Sequence, residues 1–268
     1  MGRIIAVVNQ KGGVGKTTTA INVASYLADK GKFVLLVDMD PQANATSGVG
    51  QSYRELAHGL YDALVGDKNF RDIIHETSVD GFRIAPATPA LAGANVELVS
   101  VDRREFRLRD LLQESAHSYD YVIIDCPPSL GLLTVNSLVA ADEILIPVQA
   151  EYYALEGLGQ LLETIELVRE SINPTVKILG AVITMFSSQN KLSKDVEGEL
   201  RKFFPNKIFT TVIPRNVKLA EAPSFGKVIM QYDKFSRGAV AYDALADEIL
   251  ATHAAEDEAN APVKNFVV

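Results

Sequence analysis

The sequence predicts an α/β fold built on a single doubly wound, mostly parallel sheet with helices on both faces. Short continuous apolar runs of strand length recur along the chain, and segments with helical spacing separate them. No Pro/Gly/Ser-rich or charge-block linker interrupts the 268 residues, of which 47% are hydrophobic and 22% charged, so one large core is expected.

Arg3–Asn9 is the first expected strand, because Ile4, Ile5, Ala6, Val7 and Val8 form a run suited to burial on both faces. Gly12, Gly13 and Gly15 break it. A helix follows from about Lys16 to Lys30, with Ala20, Val23, Ala24 and Leu27 on one face and Gly31 as its stop. Phe33–Asp38 is the next strand, and Tyr121–Asp125, Ile144–Val148, Val176–Thr184 and Phe209–Ile213 repeat the signature. The clearest helix is Ala154–Ser171, where Leu155, Leu158, Leu161, Leu162, Ile165 and Val168 share a face. Right-handed crossovers and a ligand site beyond the carboxyl ends of the strands follow from such an order. The domain is expected to span residues 1–250. Residues 251–268 carry Glu256, Asp257 and Glu258, are interrupted by Pro262, and read as an acidic disordered tail.

The formal net charge of −8 argues against nucleic-acid binding by the surface as a whole. Charge is nevertheless segregated. Met185–Gly238 carries ten Lys/Arg against five Asp/Glu, a net +5 that leaves −13 for the rest. No run approaches the roughly 20 apolar residues of a membrane span, and Ile4–Val8 is too short for a signal-peptide core, so a cytosolic protein is expected. The single cysteine, Cys126, can form no intrachain disulfide and no multi-cysteine metal site; burial as a small hydrophobe is its expected role.

Lys11-Gly12-Gly13-Val14-Gly15-Lys16-Thr17-Thr18 stands between the first strand and the first helix, where the fold puts a ligand. Glycines let backbone N–H groups turn toward phosphate oxygens, and the helix start adds free donors and partial positive charge. In such a loop Lys16 reaches the β- and γ-phosphates, Thr17 places its hydroxyl on Mg²⁺, and Thr18 can donate to the α-phosphate. Two strands then end in acids, at Asp38-Met39-Asp40 and at Asp125. Asp125 is the candidate holding Mg²⁺, through water, and Asp38 the candidate brace for the loop and metal shell. A lone strand-end Asp is more often a turn former, but three beside a phosphate loop point to function.

The common phosphate-loop pattern opens with glycine four intervening residues before Gly-Lys-Thr, whereas this chain has Gln10 there, followed by Lys11. In this it resembles the deviant Walker A P-loop ATPases, whose signature lysine reaches across a dimer to the other subunit's nucleotide; Lys11 is the matching residue. Asp40-Pro41-Gln42-Ala43-Asn44, Asp125-Cys126-Pro127-Pro128-Ser129 and Val212-Ile213-Pro214-Arg215-Asn216-Val217-Lys218 extend the likeness, from Arg3 to about Leu250, to the ParA/Soj partition ATPases of the MinD/ParA superfamily. The resemblance implies ATP and Mg²⁺ as ligands, Asp40 as the residue that positions or activates the attacking water, and Pro214 and Asn216 at the adenine. It implies an ATP-bound homodimer that binds double-stranded DNA nonspecifically over the nucleoid and is released when a ParB-like centromere-binding protein stimulates hydrolysis. Read without the family, Pro214 ends a strand and Asn216 caps a helix.

One departure stands out. Many Soj-like proteins have Asp-x-Arg after the Thr-Met pair, where this chain has Ser187-Ser188-Gln189. Lys191, Lys194, Arg215 and Lys218 are the remaining candidate DNA contacts. The chain opens directly on its first strand, so a preceding helix-turn-helix domain is not expected. Rival readings are a MinD-like positioning ATPase, which would need a basic amphipathic C-terminal helix for the membrane, and an ATP-dependent metabolic enzyme such as an amidoligase on the same scaffold. An iron–sulfur relative needs two cysteines per subunit, which this chain lacks.

Overall fold

The computed structural model describes residues 2–151 and 154–260. The chain folds through β1 (Arg3–Val7), α1 (Lys16–Asp29), β2 (Val34–Asp38), α2 (Asn44–Gly48), α3 (Leu60–Val65), β3 (His75–Glu76), β4 (Phe82–Ala85), α4 (Leu91–Glu97) and α5 (Arg107–Ser115). It continues through β5 (Tyr121–Asp125), α6 (Leu132–Ala140), β6 (Glu143–Gln149), α7 (Ala154–Ser171), β7 (Lys177–Phe186), α8 (Lys191–Phe203), β8 (Ile208–Pro214), α9 (Val217–Glu221), α10 (Ile229–Asp233) and α11 (Arg237–Asn260). All eight strands form one sheet in the order β3-β4-β2-β5-β1-β6-β7-β8, parallel except for the β3–β4 pair.

Alternation along the buried strands divides their side chains between two cores. Ile4, Ala6, Leu35, Val37, Val122 and Ile124 pack under α3–α8. Ile5, Val7, Val34, Leu36 and Ile123 pack instead against Ala20, Val23, Ala24 and Leu27 of α1 and Tyr242, Leu245 and Ile249 of α11. Strands covered on both faces have no polar side to show, which is why their sequences read as unbroken apolar runs. Cys126 is buried and free.

The six expected strands are present within a few residues of their expected bounds, and the Ala154–Ser171 helix has the expected ends. Leu158, Leu161, Ile165 and Val168 of its apolar face are buried; the Leu155 side chain lies outside the described residues. Two short strands are additional, β3 at the edge of the sheet and β4 beside it. At the opposite edge, β8 is shielded by α11, whose Glu248 carboxylate accepts from Thr210 N at 2.6 Å and Thr211 N at 3.0 Å.

The expected boundary at residue 250 and disorder from 251 need correcting. α11 continues unbroken to Asn260, while residues 261–268 lie outside the described residues. Contacts far away in sequence hold its last turns: Arg3 meets Glu256 at 3.0 Å and Asp257 at 2.6 Å. His253, 2% exposed, bonds Glu143 Oε2 at 2.8 Å and the Tyr121 hydroxyl at 3.0 Å.

Candidate active site

The loop after β1 turns into α1 through Gly13 and Gly15, whose φ angles of 75° and 90° lie in the left-handed region that glycine adopts without strain. Two residues that the sequence pattern did not single out fasten this loop to the sheet. Asn9 donates from Nδ2 to Pro147 O at 2.8 Å and accepts at Oδ1 from Lys11 N at 3.0 Å. Thr184 Oγ1 donates to Val14 O at 2.8 Å. β6 and β7 thereby fix the shape of the loop.

Lys16 is 6% exposed, and its Nζ curls over the loop to donate to Lys11 O at 3.1 Å. Burial lowers its pKa, while the carboxylates of Asp125 and Asp40 act in the opposite direction. Thr17 and Thr18 follow in the first turn of α1, half-buried. Deeper in that helix, Thr19 Oγ1 and the Tyr242 hydroxyl are 3.0 Å apart, joining α1 to α11.

β2 and β5 pair in a register that sets Asp38 opposite Asp125. Each follows a residue of the α3–α8 core, so each turns its carboxylate to the α1 face, toward the loop. Asp38 is fully buried and satisfied: Oδ2 accepts from Thr46 N at 2.8 Å and Thr46 Oγ1 at 2.7 Å, and Oδ1 from Asp40 N at 3.1 Å. Burial pushes its carboxyl up to about 6 despite these bonds. Asp40, 7% exposed, accepts from Gln42 N at 2.9 Å and so shapes the turn that carries it.

Asp125 is different. It is fully buried, and among the described residues no group sits in hydrogen-bonding geometry to either carboxylate oxygen. Burial first, and then neighbouring Asp38, raise its pKa well above the ordinary range, with the nearby Thr17 hydroxyl pulling the other way. A carboxylate so placed calls for a cation. Among the described residues no three His, Cys, Asp or Glu side chains converge to hold a metal by themselves. A Mg²⁺ ion at Asp125 and Thr17 would accordingly take its remaining oxygens from phosphate and water, as that ion does where it serves a nucleotide.

Lys11 is held within its own chain, its Nζ 3.1 Å from Glu151 Oε2. Gln10 anchors the other side of the turn on α7, donating to Gly157 O at 2.8 Å and Gln160 Oε1 at 3.1 Å. Beside the loop opens a cavity of about 300 Å³ lined by Gly15, Thr18, Met185, Pro214, Asn216 and Tyr242, among others. Met185 has a φ of 52°, a strained conformation for a non-glycine residue and the kind that clusters at binding sites. Pro214 ends β8, and Asn216 Oδ1 caps α9 by accepting from Lys218 N at 2.8 Å. Both local roles coexist with a place on the cavity wall.

The basic candidates lie elsewhere on the surface, except Arg215, which is exposed at the rim of this cavity. Lys191 and Lys194 are exposed on α8, and among the described residues neither has an ion-pair partner. Lys218 is 2.9 Å from Glu221, with its Nζ 5.6 Å from the Tyr232 ring centroid. Arg201 and Lys202 are likewise paired, with Glu197 at 2.8 Å and Glu199 at 2.7 Å. These three pairs lie inside Met185–Gly238 and leave its net +5 unchanged, but they take three of its ten bases out of the set of unpaired cations.

A family model described as an AAA domain matches residues 2–178. Over 250 residues the chain is 53% identical to the chromosome partitioning protein ParA of Myxococcus xanthus, covering 93% of this chain and 88% of that one. Over 251 residues it is 53% identical to the sporulation initiation inhibitor protein Soj of Bacillus subtilis, covering 94% of this chain and 99% of that one. The chain belongs to the ParA/Soj family of partition ATPases. Nucleotide hydrolysis is the general chemistry of ParA/Soj proteins, and the sheet and loop described above are their P-loop scaffold. A solved structure of cobyrinic acid a,c-diamide synthase from Mycobacterium smegmatis, with bound ADP and magnesium, matches with a TM-score of 0.85 at 36% identity, over 96% of this chain and 97% of that one. No helix among the described residues is long and apolar enough to cross a membrane.

Proposed function

We propose that this chain is an ATP-driven partition switch: an ATP-bound homodimer that holds DNA without sequence preference and lets go when hydrolysis, stimulated by a ParB-like partner, returns it to the monomer. The likeness along nearly its whole length to two partition proteins supports the reading. The arrangement of Lys16, Asp40 and Asp125 around one loop supplies its chemistry.

Backbone N–H groups of Gly12, Gly13, Val14, Gly15, Lys16, Thr17 and Thr18 would bind the phosphates, with Lys16 against the terminal pair and Thr18 on the α-phosphate. Pro214 and Asn216 would hold the adenine in the cavity at the end of β8. Thr17 and Asp125 would hold Mg²⁺, which when bound neutralises charge on the phosphate oxygens, and Asp38 would keep the Asp40 turn in place. Asp40 would orient the attacking water. Lys11, leaving Glu151, would reach the partner's nucleotide and balance the charge that builds as the phosphoryl group leaves. Chemistry of this kind needs positioning more than bond-making groups, and these residues suffice for it.

A metabolic reading has one specific observation in its favour, the likeness to a cobyrinic acid a,c-diamide synthase. Its 36% identity is well below the 53% shared with the partition proteins. Binding of a mixed-sequence duplex should be measured with ADP, ATP and a slowly hydrolysed ATP analogue. Retention with the last two alone is expected. An ATP dimer that ignores DNA in every nucleotide state would overturn the partition reading and favour the metabolic one.

A further inference from the structure

A second polar cavity, of about 340 Å³, lies between the β3–β4 hairpin, the turn Phe70–Ile73 and the end of α5, with Arg71, Glu76, Arg83, Ser115, Ser118 and Tyr119 on its walls. Tyr119 precedes the first residue of β5, whereas Asp125 ends that strand. A five-residue strand spans about 17 Å, so this cavity is at the opposite end of the sheet from the phosphate loop.

Its donors converge for local reasons. Phe82 and Ile84 of β4 point to the α1 side, so strand alternation sends Arg83 to the face that α5 covers. Leu108, Leu112 and Ser115 follow one another along the buried stripe of α5, and the last puts a hydroxyl where helical spacing calls for an apolar side chain. Ser115 is 3% exposed, and among the described residues its Oγ has no hydrogen-bond partner. Arg71 uses Nη2 on Glu114 O at 2.8 Å. Arg83 directs Nε and Nη2 at one oxygen, Glu76 Oε1, at 2.8 and 2.6 Å, with the Tyr119 hydroxyl beside its guanidinium. Guanidinium groups only donate, and each has N–H groups beyond those used here. Glu76 is the one acid on the walls, against two arginines.

A cavity lined by two guanidinium groups and an unpartnered buried hydroxyl, positive within a chain of net charge −8, has the chemistry of an oxyanion site. We propose that it binds a small free phosphate or phosphate monoester, with Arg71, Arg83 and Ser115 Oγ as donors. A ligand there would lie against Tyr119, two residues before β5, the strand whose far end carries Asp125.

The test is titration of isotopically labelled full-length protein with inorganic phosphate, and separately with acetate, with the phosphate loop already saturated by Mg-ADP. Amide signals of residues 12–18 report the loop and those of residues 115–119 the second cavity. Saturable phosphate shifts at 115–119 are expected, with acetate much weaker. Arg71→Gln should weaken the phosphate response by roughly tenfold, as expected for losing one charge-assisted contact. Ser115→Ala, which gives up no existing hydrogen bond, should fold as wild type and also weaken it. No saturable shift at 115–119, an equal response to acetate, or wild-type titration by both variants would overturn the proposal.

Discussion

Asp125 meets two opposing demands: burial among apolar strands favours its neutral form, and the role proposed for it beside phosphate requires the charged one. In the nucleotide-free protein the first prevails, so its folded pKa lies above the roughly 3.9 of a free carboxylate and folding takes up a proton. The stability associated with that proton is present at low pH and is lost as pH rises through the folded pKa. Asp125→Asn keeps the shape and removes the ionisation, so it should melt above wild type at about pH 8, with the gap closing toward about pH 4. Thermal melts without nucleotide across that range check this, and a gap that does not vary with pH would exclude the assignment. For turnover, Lys16→Ala should abolish ATP binding, whereas Asp40→Ala should bind ATP, fail to hydrolyse it and accumulate as a dimer; a monomeric Asp40→Ala under saturating Mg-ATP, seen by size-exclusion chromatography, would contradict the role given to Asp40. The acids and the loop were legible in the sequence because each sits at the end of an apolar run. Asn9, Thr46, Thr184 and Glu151 were not, since their partners Pro147, Asp38, Val14 and Lys11 are fixed only by the folded geometry.

At the level of elements, what could be read depended on whether a segment's stabilising contacts are local. β1, β2, β5 and β6 announce themselves as continuous apolar runs because both of their faces are covered. β3 has two residues, and β4, next to that edge strand, alternates Phe82, Arg83, Ile84, too short a pattern to separate from a loop. The end of α11 was misread for a related reason. Its acidic residues look solvated in sequence, yet Glu256 and Asp257 pair with Arg3 from the other end of the chain. His253 extends the same clasp by meeting Glu143, whose side chain is 5% exposed, and its hydrogen bond helps hold the Glu143 carboxyl below its usual range against the burial that raises it. His253→Ala would leave that carboxylate buried without the His253 hydrogen bond, with Arg3 beside it at 3.9 Å. The cost should be about 2 kcal/mol, the scale of leaving a buried acceptor without its hydrogen bond. Urea unfolding measures it, and a loss within experimental error of zero would show that the clasp adds nothing to the docking of α11.

For the whole molecule, the proposed switch requires that nucleotide at one end of the sheet control a charged surface. Lys11 rests 3.1 Å from its own Glu151, so reaching a partner's nucleotide means exchanging a carboxylate in cis for phosphate in trans. Lys11→Ala should therefore bind ATP and remain monomeric, and a structure of the ATP state with Lys11 still on Glu151 would refute the exchange. In the proposed cycle dimerisation would matter for DNA because two copies would double the basic groups that can face one duplex. Besides the exposed Lys207, Lys227, Lys234 and Arg237 of the same segment, the candidate contacts reduce to the exposed Lys191, Lys194 and Arg215, because Lys218 is already paired with Glu221. Of these, Lys191 and Lys194 lie on α8 away from the nucleotide cavity, whereas Arg215 lines it. A Lys191→Glu, Lys194→Glu double variant should keep ATP affinity and dimerisation while losing DNA affinity. Each phosphate contact removed takes about 0.9 from the slope of log affinity against log salt, so the remaining binding should also depend less steeply on salt. Lys218→Glu should do less, because it removes a charge that Glu221 already offsets. If Lys218→Glu abolishes DNA binding while the α8 double variant leaves affinity and slope unchanged in a protein that still dimerises, the contacting surface is α9 rather than α8.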